Sequence, residues 1–171
     1  MNQFEKLLSG GDLRSIGKSN AVVLKVHNQN DFDKLFKCLF HKERIIAMRA
    51  ADAIEKLTCE FSSYLTKYKK ALLELCTMVR NKELKWHLAL LIPRLNLSEK
   101  ENELAWQILA RWALDKDESK IVRVNSIQAL YEIVNKEKAF TKSFELFSDE
   151  IERQNIPSIN ARIRKLKYHC S

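Results

Sequence analysis

The chain has 171 residues, 46% of them hydrophobic and 30% charged, which suits one soluble domain with a real core. Its three glycines, Gly10, Gly11 and Gly17, all lie near the start, and its prolines are Pro93 and Pro157; this argues against hairpin-rich β architecture, whose tight turns draw on glycine for positive φ. The formal charge of +8 permits attraction to nucleic acid, acidic protein or an anionic surface without selecting among them, and neither a signal peptide nor a membrane-length apolar run is present, so the reading is a cytoplasmic protein with no membrane partner.

Residues 1–18 read as an N-terminal leader, broken at Gly10-Gly11-Asp12, where Asp12 is placed to cap the next helix. A short helix is expected near Asn20 to His27. Asn28-Gln29-Asn30-Asp31 then reads as a polar turn, with Asn30 or Asp31 accepting from the helix after it. That helix, about Phe32 to His41, carries Phe32, Leu35, Phe36, Leu39 and Phe40 at helical spacing. The following one is Ile45-Ile46-Ala47-Met48-Arg49-Ala50-Ala51-Asp52-Ala53-Ile54-Glu55-Lys56-Leu57. Ile46, Ala50, Ala53, Ile54 and Leu57 form its apolar stripe, and Arg49, Asp52 and Lys56 share a polar face.

A long helix is predicted from Ser62 to Arg80, with Ser62 or Ser63 as cap. Glu83 to Leu95 comes next and is apolar almost all round, as a helix buried on both sides would be, with Pro93 ending or kinking it. Ser98-Glu99-Lys100-Glu101 is a capping box. It opens a helix carrying Leu104, Ile108, Leu109, Trp112 and Ala113, which ends in the charged turn Asp115 to Ser119. Helices are expected over about Lys120 to Asn135, about Phe140 to Gln154 and about Ser158 to Tyr168, the last with Pro157 at its first position.

The helix at Ile45 returns 76 residues later as Ile121-Val122-Arg123-Val124-Asn125-Ser126-Ile127-Gln128-Ala129-Leu130-Tyr131-Glu132-Ile133, with a looser copy at Leu84-Lys85-Trp86-His87-Leu88-Ala89-Leu90. The anchor alanines Ala53, Ala89 and Ala129 are 36 and 40 residues apart, the period of a helical-repeat solenoid. The predicted fold is therefore all-α: a right-handed α-α superhelix of about four helix pairs, at 31–58, 62–95, 98–135 and 139–169, forming one domain over residues 19–171. Each pair needs a neighbour to bury its faces.

On these residues the chain resembles HEAT-repeat (armadillo-like) proteins. Arg49 to Leu57 is similar to the second helix of that repeat, a basic residue ahead of an alanine-rich stripe. More narrowly, Leu13-Arg14-Ser15-Ile16-Gly17, Arg49 to Lys56, Lys85-Trp86-His87-Leu88-Ala89 with Pro93-Arg94-Leu95, and Arg162-Ile163-Arg164-Lys165-Leu166 together look like small bacterial HEAT-repeat proteins. The resemblance implies an α-superhelix and no particular activity. A looser likeness is to HEAT-like DNA glycosylases, which use a basic concave face with tryptophans and a carboxylate. Trp86, Trp106, Trp112 and Asp52 are of those types, but no catalytic residue carries over.

The resemblance also implies that second helices line a concave surface. Arg49, Asp52, Lys56, Lys85, Asn125, Gln128, Arg162, Arg164 and Lys165 are then the candidate partner-binding residues. The alternative for Arg49 and Asp52 is a structural pair, at i and i+3 or across repeats. The floor is mixed in charge, which disfavours general DNA binding. The cluster Arg162, Arg164, Lys165 and Lys167 is the better phosphate candidate, or simply a solvated end helix. The tryptophans fit core packing better than base stacking. Cys38 with His41, and His169 with Cys170, are the only close Cys/His pairs and make no four-ligand pattern. No phosphate loop, nucleophile elbow or metalloprotease pattern occurs. The reading is a non-enzymatic protein-binding scaffold without cofactor, metal or small-molecule substrate; the alternative is nucleic-acid backbone binding through the basic C-terminal helix.

Overall fold

Ten α-helices and four short 3-10 segments make up the regular structure of residues 2–11 and 17–168, which are the residues the computed structural model describes; no strand occurs among them. The helices are α1 (Gln3–Leu8), α2 (Gly17–Val23), α3 (Gln29–Lys37), α4 (Arg44–Glu60), α5 (Lys69–Met78), α6 (Lys82–Leu91), α7 (Glu99–Leu114), α8 (Lys120–Lys136), α9 (Thr141–Arg153) and α10 (Pro157–Tyr168). The 3-10 segments are Cys38–Phe40, Ser62–Tyr68, Ile92–Arg94 and Lys138–Phe140. The chain divides into two compact units, Met1–Lys67 and Tyr68–Ser171.

Helix starts obey local chemistry. Asn2, Asn28, Asn81, Ser98 and Ser119 each accept from an amide in the first turn of the helix they precede, and Asn2 and Ser98 complete capping boxes with Glu5 and Glu101. The cap of α3 is thus Asn28 rather than Asn30 or Asp31. The long helix expected from Ser62 is instead a 3-10 segment running into α5. There the Thr66 hydroxyl donates to the Ser63 carbonyl at 2.7 Å, a local bond that competes with α-helical pairing. Gly10 and Gly11 take φ values of 66° and 79°, which a side chain would strain, and Asn155 supplies the left-handed turn between α9 and α10 at φ 52°.

In the first unit α4 packs against α1, α2 and α3. Ala50, Ala51 and Ala53 are fully buried there, their small side chains giving α2 and the other helices close access to the α4 backbone. Within the first 18 residues, α1 buries Phe4 and Leu8 completely, and the boundary between the two compact units falls after Lys67. The Asp12 cap expected for the next helix lies outside the described residues.

The second unit is a two-layer stack. Helices α5, α7 and α9 contact one another in sequence, as do α6, α8 and α10, and each α5–α6, α7–α8 and α9–α10 pair is in contact. Helix α8 is the centre of the second layer. It buries Val122, Arg123, Ser126, Ile127, Ala129, Leu130, Tyr131, Ile133 and Val134, an arc of roughly 200° at 100° per residue. Ile121, Val124, Asn125, Gln128, Glu132 and Asn135 occupy the remaining arc and stay half-buried or exposed. Helix α6, expected to be buried all round, leaves Lys85, Trp86 and Leu90 half-buried.

Candidate functional site

The candidate residues of the first unit belong to its framework. Arg49 has no exposed surface; its guanidinium donates to the carbonyls of Leu8 at 2.7 Å and Gly10 at 2.6 Å, at the C-terminal end of α1. Placing it on an open polar floor is therefore corrected: Arg49 directs its donors to main-chain groups that α1 leaves without intrahelical partners. Asp52 accepts from the Ser19 hydroxyl and, at 2.6 Å, from Lys56, which also reaches Asn20 at 2.7 Å. Ser19 is fully buried. Asp52 and Lys56 thus clasp α2 against α4, with Arg49 bonded elsewhere rather than to Asp52 as an i, i+3 pair.

In the second unit Lys85 is paired with Glu118, the two side chains only 15% and 10% exposed, and its ammonium lies 5.9 Å above the Trp112 ring. The pair ties α6 to the turn between α7 and α8. Arg123 is the counterpart of Arg49 that the sequence pattern alone did not single out. It is 1% exposed; its Nε donates to the Ala113 carbonyl at 2.8 Å, at the C-terminal end of α7, and Nη2 donates to Gln154 Oε1 at 2.5 Å. Burial lowers the Arg123 pKa from its ordinary value, and the charge of Asp115 opposes that shift. A signal does exist: Arg123, Ile127, Leu130 and Val134 share one helical stripe, and a cation inside an apolar stripe is a buried cation.

What remains on the surface is a row across α8 and α10. Arg162 Nη1 donates to Gln128 Oε1 at 3.0 Å, and Gln128 Nε2 donates to Glu132 Oε1 at 3.0 Å. Each bond fixes the next side chain, so amide, carboxylate and guanidinium are presented in a set order. Asn125 lies on the same stripe one turn away, half-buried and with no side-chain partner among the described residues. Ile121, 49% exposed, extends the stripe with an apolar contact. Arg164 and Lys165 are exposed on α10 and unpaired among the described residues, whereas Lys167 is bonded to Glu152 at 2.8 Å and lies 3.7 Å from Asp149. Of the nine candidates, then, Gln128 and Arg162 touch; Arg49, Asp52, Lys56 and Lys85 are held in structural contacts.

The remaining reactive side chains are also engaged. The Cys38 thiol lies 3.6 Å from Asn2 Nδ2 and 3.5 Å from the Lys34 carbonyl, and burial pushes its pKa up to about 11. His41 Nδ1 accepts the Glu43 N–H at 3.0 Å, so Cys38 and His41 serve different neighbours. His169 and Cys170 lie outside the described residues. His87 is buried beside Trp86, Trp112 is buried, and Trp106 stacks on Phe140 with centroids 5.0 Å apart. The tryptophans therefore pack against protein.

No protein-family model matches the chain, and no curated protein or solved structure is significantly similar to it.

Proposed function

We propose that this chain is a non-enzymatic interaction module of HEAT-like α-solenoid build, holding a protein partner on the open stripe of α8 and the adjoining face of α10. The layered pairing of α5–α6, α7–α8 and α9–α10 supports the build, since each pair leaves a face that only the next pair covers. The observation that carries the function is the bonded row Arg162–Gln128–Glu132, flanked by Asn125 and Ile121. Side chains already ordered lose less entropy when a partner docks on them, and a row of alternating donor and acceptor character suits a polar protein surface.

The test is a photo-crosslinking amino acid placed at Asn125, with one at Arg111 on the solvent side of α7 as control. A discrete adduct from Asn125 that is absent from Arg111, and lost on Gln128→Ala with Arg162→Ala, supports the proposal. Identical products from both positions, or none, would sink it.

Nucleic-acid binding through α10 is the second reading, favoured by the exposed Arg164 and Lys165. With two free cations rather than four, the slope of log affinity against log salt should be only about −2 for duplex DNA. A much steeper slope, removed by Arg164→Ala with Lys165→Ala, would move this reading ahead.

A further inference from the structure

Helices α6, α8 and α10 pack side by side in the second unit, backed by α5, α7 and α9. Each leaves one stripe uncovered. On α6, Lys82 is exposed and Trp86 and Leu90 are half-buried, all within about 80° of the helix surface. On α8 the stripe is Ile121, Asn125, Gln128 and Glu132, within about 60°. On α10 it is Ser158, Arg162 and Lys165, again within about 60°. Arg123, which reaches back to the end of α7, lies on the opposite side of α8 from its stripe. The Arg162–Gln128 bond joins the α8 and α10 stripes. The three stripes therefore form one face, on the side of the second layer turned away from the first.

That face is divided by character. Toward α6 and the start of α8 it is apolar: Trp86 and Leu90 keep part of their surface, and Ile121 is 49% exposed. Toward α10 it is cationic. Lys165 is exposed and unpaired among the described residues, and Arg162 donates to the neutral amide of Gln128. Lys82, at the start of α6, is also exposed and unpaired among the described residues. Lys69, Lys85 and Lys167, off this face, each meet an acid. The one acid among the stripes, Glu132, accepts from Gln128.

We propose that this face docks an acidic amphipathic peptide segment of a partner protein. Its apolar side chains lie against Trp86, Leu90 and Ile121, and its carboxylates meet Arg162 and Lys165. The inference rests on the reading of α8 and α10 as a docking surface and names the chemistry of what docks there. Charge complementarity sets the sign of the partner, because unpaired cations steer acids in and turn bases away. The apolar half selects a peptide over a nucleic acid. Leucine and isoleucine offer no ring for a base to stack on, and Glu132, in the middle of the face, repels a strand charged at every phosphate. A peptide can place its few carboxylates clear of Glu132.

The experiment is selection of a random peptide library on the full chain, followed by anisotropy titration of the leading peptide, fluorescently labelled, at low salt. Selected sequences should carry net negative charge, with Leu, Ile or Phe at helical spacing. Changing the acids of the leading peptide to amides should weaken it at least about tenfold. Lys165→Glu and Ile121→Ser, both at exposed positions, should fold normally and each weaken it about tenfold. Arg111→Glu on α7 makes the same charge change off the face and should leave affinity within about twofold. Selected peptides that are neutral or basic, yet block crosslinking from Asn125, would overturn the acidic partner and leave the docking face standing. Equal weakening by Arg111→Glu and Lys165→Glu, or no effect of Ile121→Ser, would overturn the placement of the peptide on this face. An oligonucleotide that displaces the peptide, and whose own binding ignores Ile121→Ser, would assign the cations to phosphate and overturn the inference. So would a selection that enriches nothing, and the Asn125 crosslink would then decide the docking reading by itself.

Discussion

The guanidiniums of Arg49 and Arg123 hold the same kind of acceptor: main-chain carbonyls at the C-terminal end of an earlier helix, α1 for the first and α7 for the second. Both side chains are almost wholly removed from solvent. Buried cations are costly unless fully bonded. Here the compensating negative charge includes the unpaired carbonyls of a helix end, which need donors for their own reasons. One side chain thereby satisfies two buried groups at once, and each unit is clipped together at its α4 or α8 axis.

Truncating either clip should be strongly destabilising. Arg49→Ala removes charge-assisted bonds and strands the Leu8 carbonyl, while the Gly10 carbonyl keeps the Lys18 ammonium at 3.0 Å, so a loss of about 3 kcal/mol is expected from urea melts. Arg49→Lys should recover only part of it, because an ammonium lacks the planar fork that reaches both carbonyls. A variant as stable as the parent would show that these bonds contribute nothing net.

Lys85 and Glu118 form a largely enclosed pair. Removing one partner leaves the other buried and unpaired, so Lys85→Ala and Glu118→Ala should each cost more than about 1 kcal/mol. The double variant should then cost clearly less than the sum of the singles. Strict additivity in thermal or urea melts would mean the pair is energetically silent.

Glu101 provides an acid limb. Its carboxyl is held below the usual range chiefly by the Ser98 main-chain N–H, at 2.7 Å, then by the Ser98 hydroxyl; partial burial opposes this and Lys69, at 3.4 Å, adds to it. A folded pKa below the unfolded one contributes stability that is full above the ordinary glutamate pKa and lost as pH falls through the depressed value. Glu101→Gln should therefore lower Tm at pH 7, and the difference should shrink as pH falls below the ordinary glutamate pKa (about 4.3) through the depressed one. A Tm loss that stays constant across the acid range would point to packing rather than charge.

The thiols should separate by burial. Cys38 and Cys76 are pushed up to about 11 and about 12 by burial, whereas Cys59 is exposed. In a Cys59→Ser, Cys170→Ser chain, a thiol reagent at pH 8 should react only as fast as the protein unfolds, because the thiolate is the nucleophile. Rapid stoichiometric labelling of the native chain would contradict the placement of Cys38 or Cys76.

Much of the helical framework is legible in the sequence because its signals are local. The Ser98–Glu101 box, Pro157 at a first position and the stripe of α8 each place an element without reference to anything distant. The Ser62–Tyr68 segment is not, because Leu65 and Tyr68 fit a helical period whether the backbone is α or 3-10. Arg49 misleads for a related reason. Its wheel position adjoins Asp52 and Lys56, and only the arrival of α1, far away in sequence, converts that face into an interior. The return of the Ile45 helix at Ile121 is real as a burial pattern, yet the two clips do not coincide in register: Arg49 aligns with Asn125, and Arg123 with Ala47. Nothing in a repeat alignment pairs residues that do the same work from different turns.

A six-residue helix such as α1 is too short to persist by itself, since helix nucleation costs more than so few bonds return. Left alone it would fray, and its amides would exchange with solvent in fast local openings. Arg49 changes that. Peeling α1 away would leave a guanidinium at the heart of the first unit without the carbonyls it serves, so α1 opens only when α4 gives way. Its amide hydrogens should then exchange at the same slow rate as those around Arg49, and a protease should find α1 closed until the whole first unit has melted.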